Sequence, residues 1–119
     1  MNKKITIKKA TIVDNKLLLL TDESISGLLP SEQILVDSKL FSFVYLMENP
    51  EGYTYIDIPE PFWPLLKSTY GEQTPVFIQS REEEVELSNF YEELAYVINN
   101  IRGNSNYGKD MVAKVEEHF

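Results

Sequence analysis

The chain has 119 residues, no cysteine, and a net charge of −8 from 19 acidic and 11 basic side chains. That length supports one self-sufficient core, and a 43% hydrophobic, 12% aromatic composition excludes wholesale disorder. Missing thiols exclude disulfides, zinc–sulfur sites and iron–sulfur clusters; the average negative field opposes a nucleic-acid backbone; no apolar run approaches the roughly 18 residues of a membrane span.

Residues 4 to 12 set Ile5, Ile7 and Ile12 among Lys and Thr, which predicts a half-buried strand rather than the apolar core of a signal peptide. The chain is therefore expected to be cytoplasmic. Lys3, Lys4, Lys8 and Lys9 read as the solvent side of an edge strand; a phosphate-binding face is the sharper alternative. Asp14 and Asn15 form a turn into a leucine-rich strand at residues 16–21, giving an N-terminal hairpin. Residues 22–33, broken by Gly27 and Pro30, read as loop, with a short strand after them at QILVDS. LFSFVYLM, residues 40–47, is apolar on both faces and predicts a central strand. ENPEG turns it back into a partner strand bearing Tyr53, Tyr55, Ile56 and Ile58.

Pro59, Pro61 and Pro64 surround Phe62 and Trp63 and lead into a short helix to about Tyr70, closed by Gly71. PVFIQ (75–79) is a strand, and VEL (85–87) a brief edge strand. The run Glu82, Glu83, Glu84 and Glu86 lacks the spacing to converge on an ion and reads as a solvated loop. Ser88 is the expected N-cap of a helix whose stripe is Phe90, Leu94, Val97, Ile98 and Ile101. Arg102 and Gly103 end that helix. A last helix carries Tyr107, Met111, Val112, Val115 and Phe119. The expected fold is a single α+β domain over residues 1–119. It has a mainly antiparallel sheet of about five strands packed against a C-terminal helical hairpin, with one short helix after the central hairpin.

LVDSKLFSFVY (35–45), WPLLK (63–67) and VELSNFYEELAYVINNIRGNSNYGKDMVAKVEEHF (85–119) resemble the YjbL-like family, small uncharacterised cytosolic proteins of Bacillus- and Staphylococcus-type bacteria. One departure is Lys39, where an acidic residue is expected; it argues against Asp37 and its neighbour as paired carboxylates. The resemblance implies a cytosolic location and a compact fold, and no reaction, cofactor or ligand.

GNSNYG (103–108) is the most distinctive motif. A glycine-bearing loop opening a helix can aim backbone N–H groups at an anion, with Asn104, Ser105 and Asn106 as further donors and Lys109 as counter-charge. The plainer reading has Gly103 ending one helix, Asn106 capping the next and Tyr107 folding inward. Trp63 is either an interface anchor or, the favoured reading, a plug at the end of the sheet. Asp37 and Ser38 read as a turn rather than catalytic groups. Tyr91, Tyr96 and Tyr107, with Glu92, Glu93 and Asn99, are candidates to line a groove between the last helices and the sheet. His118, next to the last residue, is expected to fray.

No catalytic residue, metal ligand or cofactor is expected. The leading functional reading is a noncatalytic protein-binding or regulatory module, with Trp63, Gly103, Asn104, Ser105, Asn106, Tyr107 and Lys109 as candidate contacts. A partner protein is expected, without nucleic acid or membrane and with the oligomeric state open. The alternatives are a small-ligand or nucleotide sensor using the GNSNYG loop, and a carboxylate-dependent enzyme.

Overall fold

The structure, a computed structural model, describes residues 3–119. The N-terminal segment forms β1 (Lys3–Thr6) and β2 (Lys9–Val13), not one strand. At the break, the Ile7 N–H donates to the Asp57 carbonyl at 3.1 Å and the Lys8 N–H to the Leu20 carbonyl at 3.0 Å. The ladder thus passes from one sheet to another without a loop. Ile5 and Ile7 are buried where it does so, whereas Ile12, expected on the same apolar pattern, is 49% exposed. The apolar alternation ends where the chain changes sheets.

Asp14 and Asn15 both adopt positive φ, 52° and 62°, the conformation that matches the twist of a two-residue hairpin. They join β2 antiparallel to β3 (Lys16–Leu20). The loop expected at residues 22–33 is shorter, because β4 runs Leu29–Asp37. Pro30 is tolerated inside it because β4 is an edge strand, pairing within its sheet only with β5 (Ser42–Asn49). The ladder shifts register between Pro30 and Gln33, with Glu32 at φ 59°. β5 is flanked on its other side by β6 (Gly52–Pro59), so the central position read from its two apolar faces holds.

A short 3-10 turn leads into α1 (Trp63–Glu72). Gly71 lies within this helix rather than ending it; Gln73 takes the left-handed position at φ 53°. β7 (Val76–Ser80) and β8 (Glu83–Glu86) follow as a hairpin. The glutamate run therefore lies largely in an edge strand, where its charge discourages further pairing. α2 (Phe90–Ile101) buries the predicted stripe together with Tyr91. Its N-cap is Asn89, not Ser88, and no side chain caps it. The Ser88 carbonyl instead accepts the Tyr45 hydroxyl at 2.6 Å, and burial pushes that phenol up to about 12. α3 (Lys109–His118) completes the chain, burying Met111 and Val115.

The fold is α+β, with the strands shared between two four-stranded sheets, β1-β6-β5-β4 and β2-β3-β7-β8. Among the described residues four of six pairings are antiparallel; β1–β6 and β3–β7 are parallel. One contiguous cluster joins residues of both sheets and all three helices. The helices lie on one side of the first sheet. Phe43 stacks on Trp63 with centroids 4.6 Å apart, Tyr45 stacks on Phe90 at 6.0 Å, and Phe119 meets Phe43 edge-on at 6.0 Å.

Candidate functional site

Trp63 is fully buried, so its place among the candidate partner contacts is corrected. Its ring lies between Phe43, Phe119 and His118, and its indole N–H donates to the Ile58 carbonyl at 3.3 Å. Proline-stiffened backbone turns it inward to close the end of the sheet.

In the GNSNYG loop, Gly103 and Gly108 take positive φ, 68° and 91°. The side chain of Asn104, not Asn106, supplies the cap, accepting the Asn106 N–H at 3.1 Å. Tyr107 packs against the core, while Ser105, Asn106 and Lys109 stay exposed. The donors an anion would need are largely engaged within the chain. Asn104, Tyr107 and Gly108 N–H groups reach the carbonyls of Ile101, Asn104 and Ser105. The Gly103 N–H donates to the Glu116 carboxylate at 3.2 Å. The cleft beside the loop, lined by Gly103, Ser105, Lys109, Val112 and Glu116, thus already holds a carboxylate of its own.

His118 is not frayed. Its Nε2 lies 3.0 Å from Glu60, whose other carboxylate oxygen is 3.1 Å from Lys114 Nζ. The hydrogen bond from His118, then that from Lys114, holds the Glu60 carboxyl below its ordinary range. A depressed carboxyl stabilises the fold above the unfolded-state value of about 4.3 and loses that contribution as pH falls through the folded value. Glu60→Gln is therefore expected to lower the melting temperature at about pH 6 and to matter much less near about pH 3. Because the group is partly solvated, the difference is about 1 kcal/mol or less. Melting curves across that range check it.

Of the predicted groove, Tyr91 is buried and donates its hydroxyl to the Thr74 carbonyl, Tyr96 is 64% exposed, and Tyr107 packs against the core. A cavity of about 160 Å³ between α1 and α2 is lined by Lys67, Tyr70, Ile98, Asn99, Arg102 and Phe119. It is smaller than usual small-molecule sites.

The outward face of the first sheet is the feature that sequence reasoning missed. Cross-strand partners point to the same side, so the register orders that face in rows. Leu29, Glu48 and Tyr53 form one, then Gln33, Leu46, Tyr55 and Lys4, then Leu35, Val44, Asp57 and Thr6. Leu29 is 65% exposed and Tyr53 41%, on either side of the exposed Glu48. At the other end, a groove of about 410 Å³ runs between Leu35, Val44, Tyr55 and Asp57, rimmed by Ser38 and Lys39. Asp57 is only 4% exposed; one oxygen lies 3.6 Å from Lys4 Nζ and the other, buried, has no hydrogen-bond partner. Asp37 serves the turn expected of it, accepting the N–H groups of Lys39 and Leu40 at 3.1 and 3.0 Å. Among the described residues no three His, Asp or Glu side chains gather as a metal site, and no helix is long and apolar enough to cross a membrane.

Residues 5–119 match the sequence profile of UPF0738, described as a family of unknown function. A UPF0738 protein of Geobacillus sp. (strain WCH70) is 40% identical over 122 residues, covering 100% of this chain and 98% of the relative. The UPF0738 protein YjbL of Bacillus subtilis is 38% identical over 121 residues, covering 100% and 99%. A UPF0738 protein of Bacillus velezensis is 40% identical over 121 residues with the same coverage. No solved structure matches the chain. With the profile spanning nearly every residue and relatives aligned end to end, the chain belongs to the UPF0738 family.

Proposed function

We propose that this protein is a noncatalytic, single-domain binding module of the bacterial cytoplasm, and that its partner is a protein presenting a basic surface. The observation that carries the reading is the row Leu29–Glu48–Tyr53 on the outward face of the first sheet. Leu29 and Tyr53, 65% and 41% exposed on either side of a carboxylate, suit a Lys or Arg whose aliphatic stem packs on their exposed parts while its head meets Glu48. The net charge of −8 favours a basic partner and opposes a second copy of this chain. The helices, packed on the opposite side of the sheet, leave this face accessible.

The test is affinity capture from a Bacillus-type lysate with the wild type, Leu29→Glu and Tyr53→Glu. A basic protein is expected on the wild type, with recovery falling at least about tenfold on each variant and with rising salt. Equal recovery on all three, or self-association of the wild type through this face in sedimentation, would contradict the reading.

A further inference from the structure

We infer that β2 is a self-association strand: two copies of this chain pair their β2 edges antiparallel and join their second sheets into one. The inference does not depend on the partner surface at Leu29 and Tyr53, which lies on the first sheet. The two sheets end in four edge strands, β1, β4, β2 and β8. Three of them carry devices that discourage pairing. β1 is four residues long and opens with Lys3 and Lys4. β4 contains Pro30 and a register shift, and β8 reads Glu-Glu-Val-Glu. β2 has no proline, acid or register shift, and it ends on Ile12 and Val13, 49% and 45% exposed.

The free edge of β2 has a fixed hydrogen-bonding pattern. Val13 and Lys16 flank the Asp14–Asn15 turn and so form a hydrogen-bonded pair. Such pairs alternate along an antiparallel ladder, which makes Thr11–Leu18 the next. Ala10 and Ile12 therefore turn their N–H and C=O groups away from β3, and among the described residues no backbone group outside the ladder reaches them. A two-fold axis at Thr11 sets Ala10 of one copy opposite Ile12 of the other, and the reverse. Each such pair exchanges two N–H···O=C bonds, which engages the free groups of both residues.

The side chains fit the same register. Ala10 and Ile12 share the face of their ladder partners Leu19 and Leu17, both fully buried. Pairing lines up Leu19 and Ala10 with Ile12 and Leu17 of the copy, so the half-exposed isoleucine packs beside the smallest side chain of the strand. On the opposite face Thr11 meets Thr11, and the Lys9 stem lies along Val13 of the copy. The charges are complementary as well. Lys8 and Lys9 stand at the start of the strand and Asp14 at its end, so antiparallel pairing brings each Asp14 to the lysine end of the other copy. The side chains of Lys9 and Asp14 have no partner of their own among the described residues. Lys3, Lys8 and Lys16 are already paired with Glu23, Asp22 and Glu84, which makes this edge a nearly neutral part of an acidic molecule. The net charge of −8 that opposes a second copy elsewhere acts weakly here, because salt at physiological strength screens it beyond about 8 Å.

The test is sedimentation of the full chain from about 10 μM to about 1 mM, a range that spans weak dimers, with amide hydrogen exchange beside it. The wild type is expected to pass from monomer to dimer, and exchange at Ala10 and Ile12 to slow several-fold as the dimer fills. Thr11 and Val13, bonded to β3 in either state, are expected to change little. Ile12→Pro removes a donor that the hairpin does not use. It is expected to stay monomeric throughout while melting within a few degrees of the wild type at about 10 μM. Ile12→Lys keeps the donor but sets a charge on the edge; it is expected to weaken the dimer at least about tenfold, and serves if the proline variant does not fold. Leu29→Glu is expected to dimerise as the wild type does. A wild type still monomeric at about 1 mM overturns the inference. So does a dimer that persists in both Ile12 variants, is lost with Leu29→Glu, or forms with exchange at Ala10 and Ile12 unchanged.

Discussion

Replacing Trp63 by alanine is expected to destabilise the fold by about 3–5 kcal/mol, the range for truncating a large buried aromatic. The ring is fully buried, stacks on Phe43 at 4.6 Å, touches Phe119 and His118, and spends its N–H on the Ile58 carbonyl. Alanine leaves a cavity where β5, α1 and the end of α3 meet, and removes the indole's hydrogen bond to that carbonyl. Set against a total stability of about 5–15 kcal/mol, the loss is a large share. At roughly 4 °C per kcal/mol, the melting temperature is expected to fall by roughly 12–20 °C. Trp63→Phe keeps the stack and part of the volume, so its cost is expected to be smaller. The pair also separates core from contact. If Trp63 were a surface anchor, both variants would lose partner binding while melting like the wild type.

Leu94→Ala is expected to cost about 2–5 kcal/mol, whereas Tyr96→Ala, two residues along the same helix, should stay within about 0.5 kcal/mol. Leu94 is fully buried, at the centre of the α2 stripe facing β4; Tyr96 is 64% exposed. Helical periodicity alone sets the contrast, because residues two apart lie on opposite sides of the helix. Denaturant unfolding of the two variants measures it, and equal losses would show that the helix is rotated from its described position.

These contrasts mark what was readable in the residues. The α2 stripe, the β5–β6 hairpin and the Asp14–Asn15 turn follow from local periodicity and turn chemistry, and they fold as read. The division into two sheets was not legible, because Ile5 and Ile7 continue one alternation whether or not the strand changes partners. Gly71 and Ser88 have the right chemistry to close and cap helices. Yet the chain closes α1 at Gln73 and turns into α2 at a left-handed Asn89, leaving the Ser88 carbonyl for Tyr45. Pro30 signals a loop but lies in an edge strand, so Leu29 passed for a loop residue. The outward face emerges only from cross-strand register. Leu29 and Tyr53 are 24 positions apart and become neighbours of Glu48 through two different ladders. Asp57 did leave a signal, a lone acid between two isoleucines in a strand, but only its burial and its unpartnered oxygen give that signal chemical meaning. The GNSNYG loop was the most conspicuous stretch, and its polar groups are largely spent on shaping the corner between α2 and α3.

Backbone amide NMR reads, residue by residue in a chain of 13.8 kDa, which face of this protein meets its partner. Adding the captured partner to labelled protein is expected to shift resonances of Leu29, Glu48, Tyr53 and their neighbours in β4, β5 and β6. The amides of α2 and of residues 103–109 should stay in place. Shifts concentrated at residues 103–109, with the sheet face silent, would contradict the proposed face.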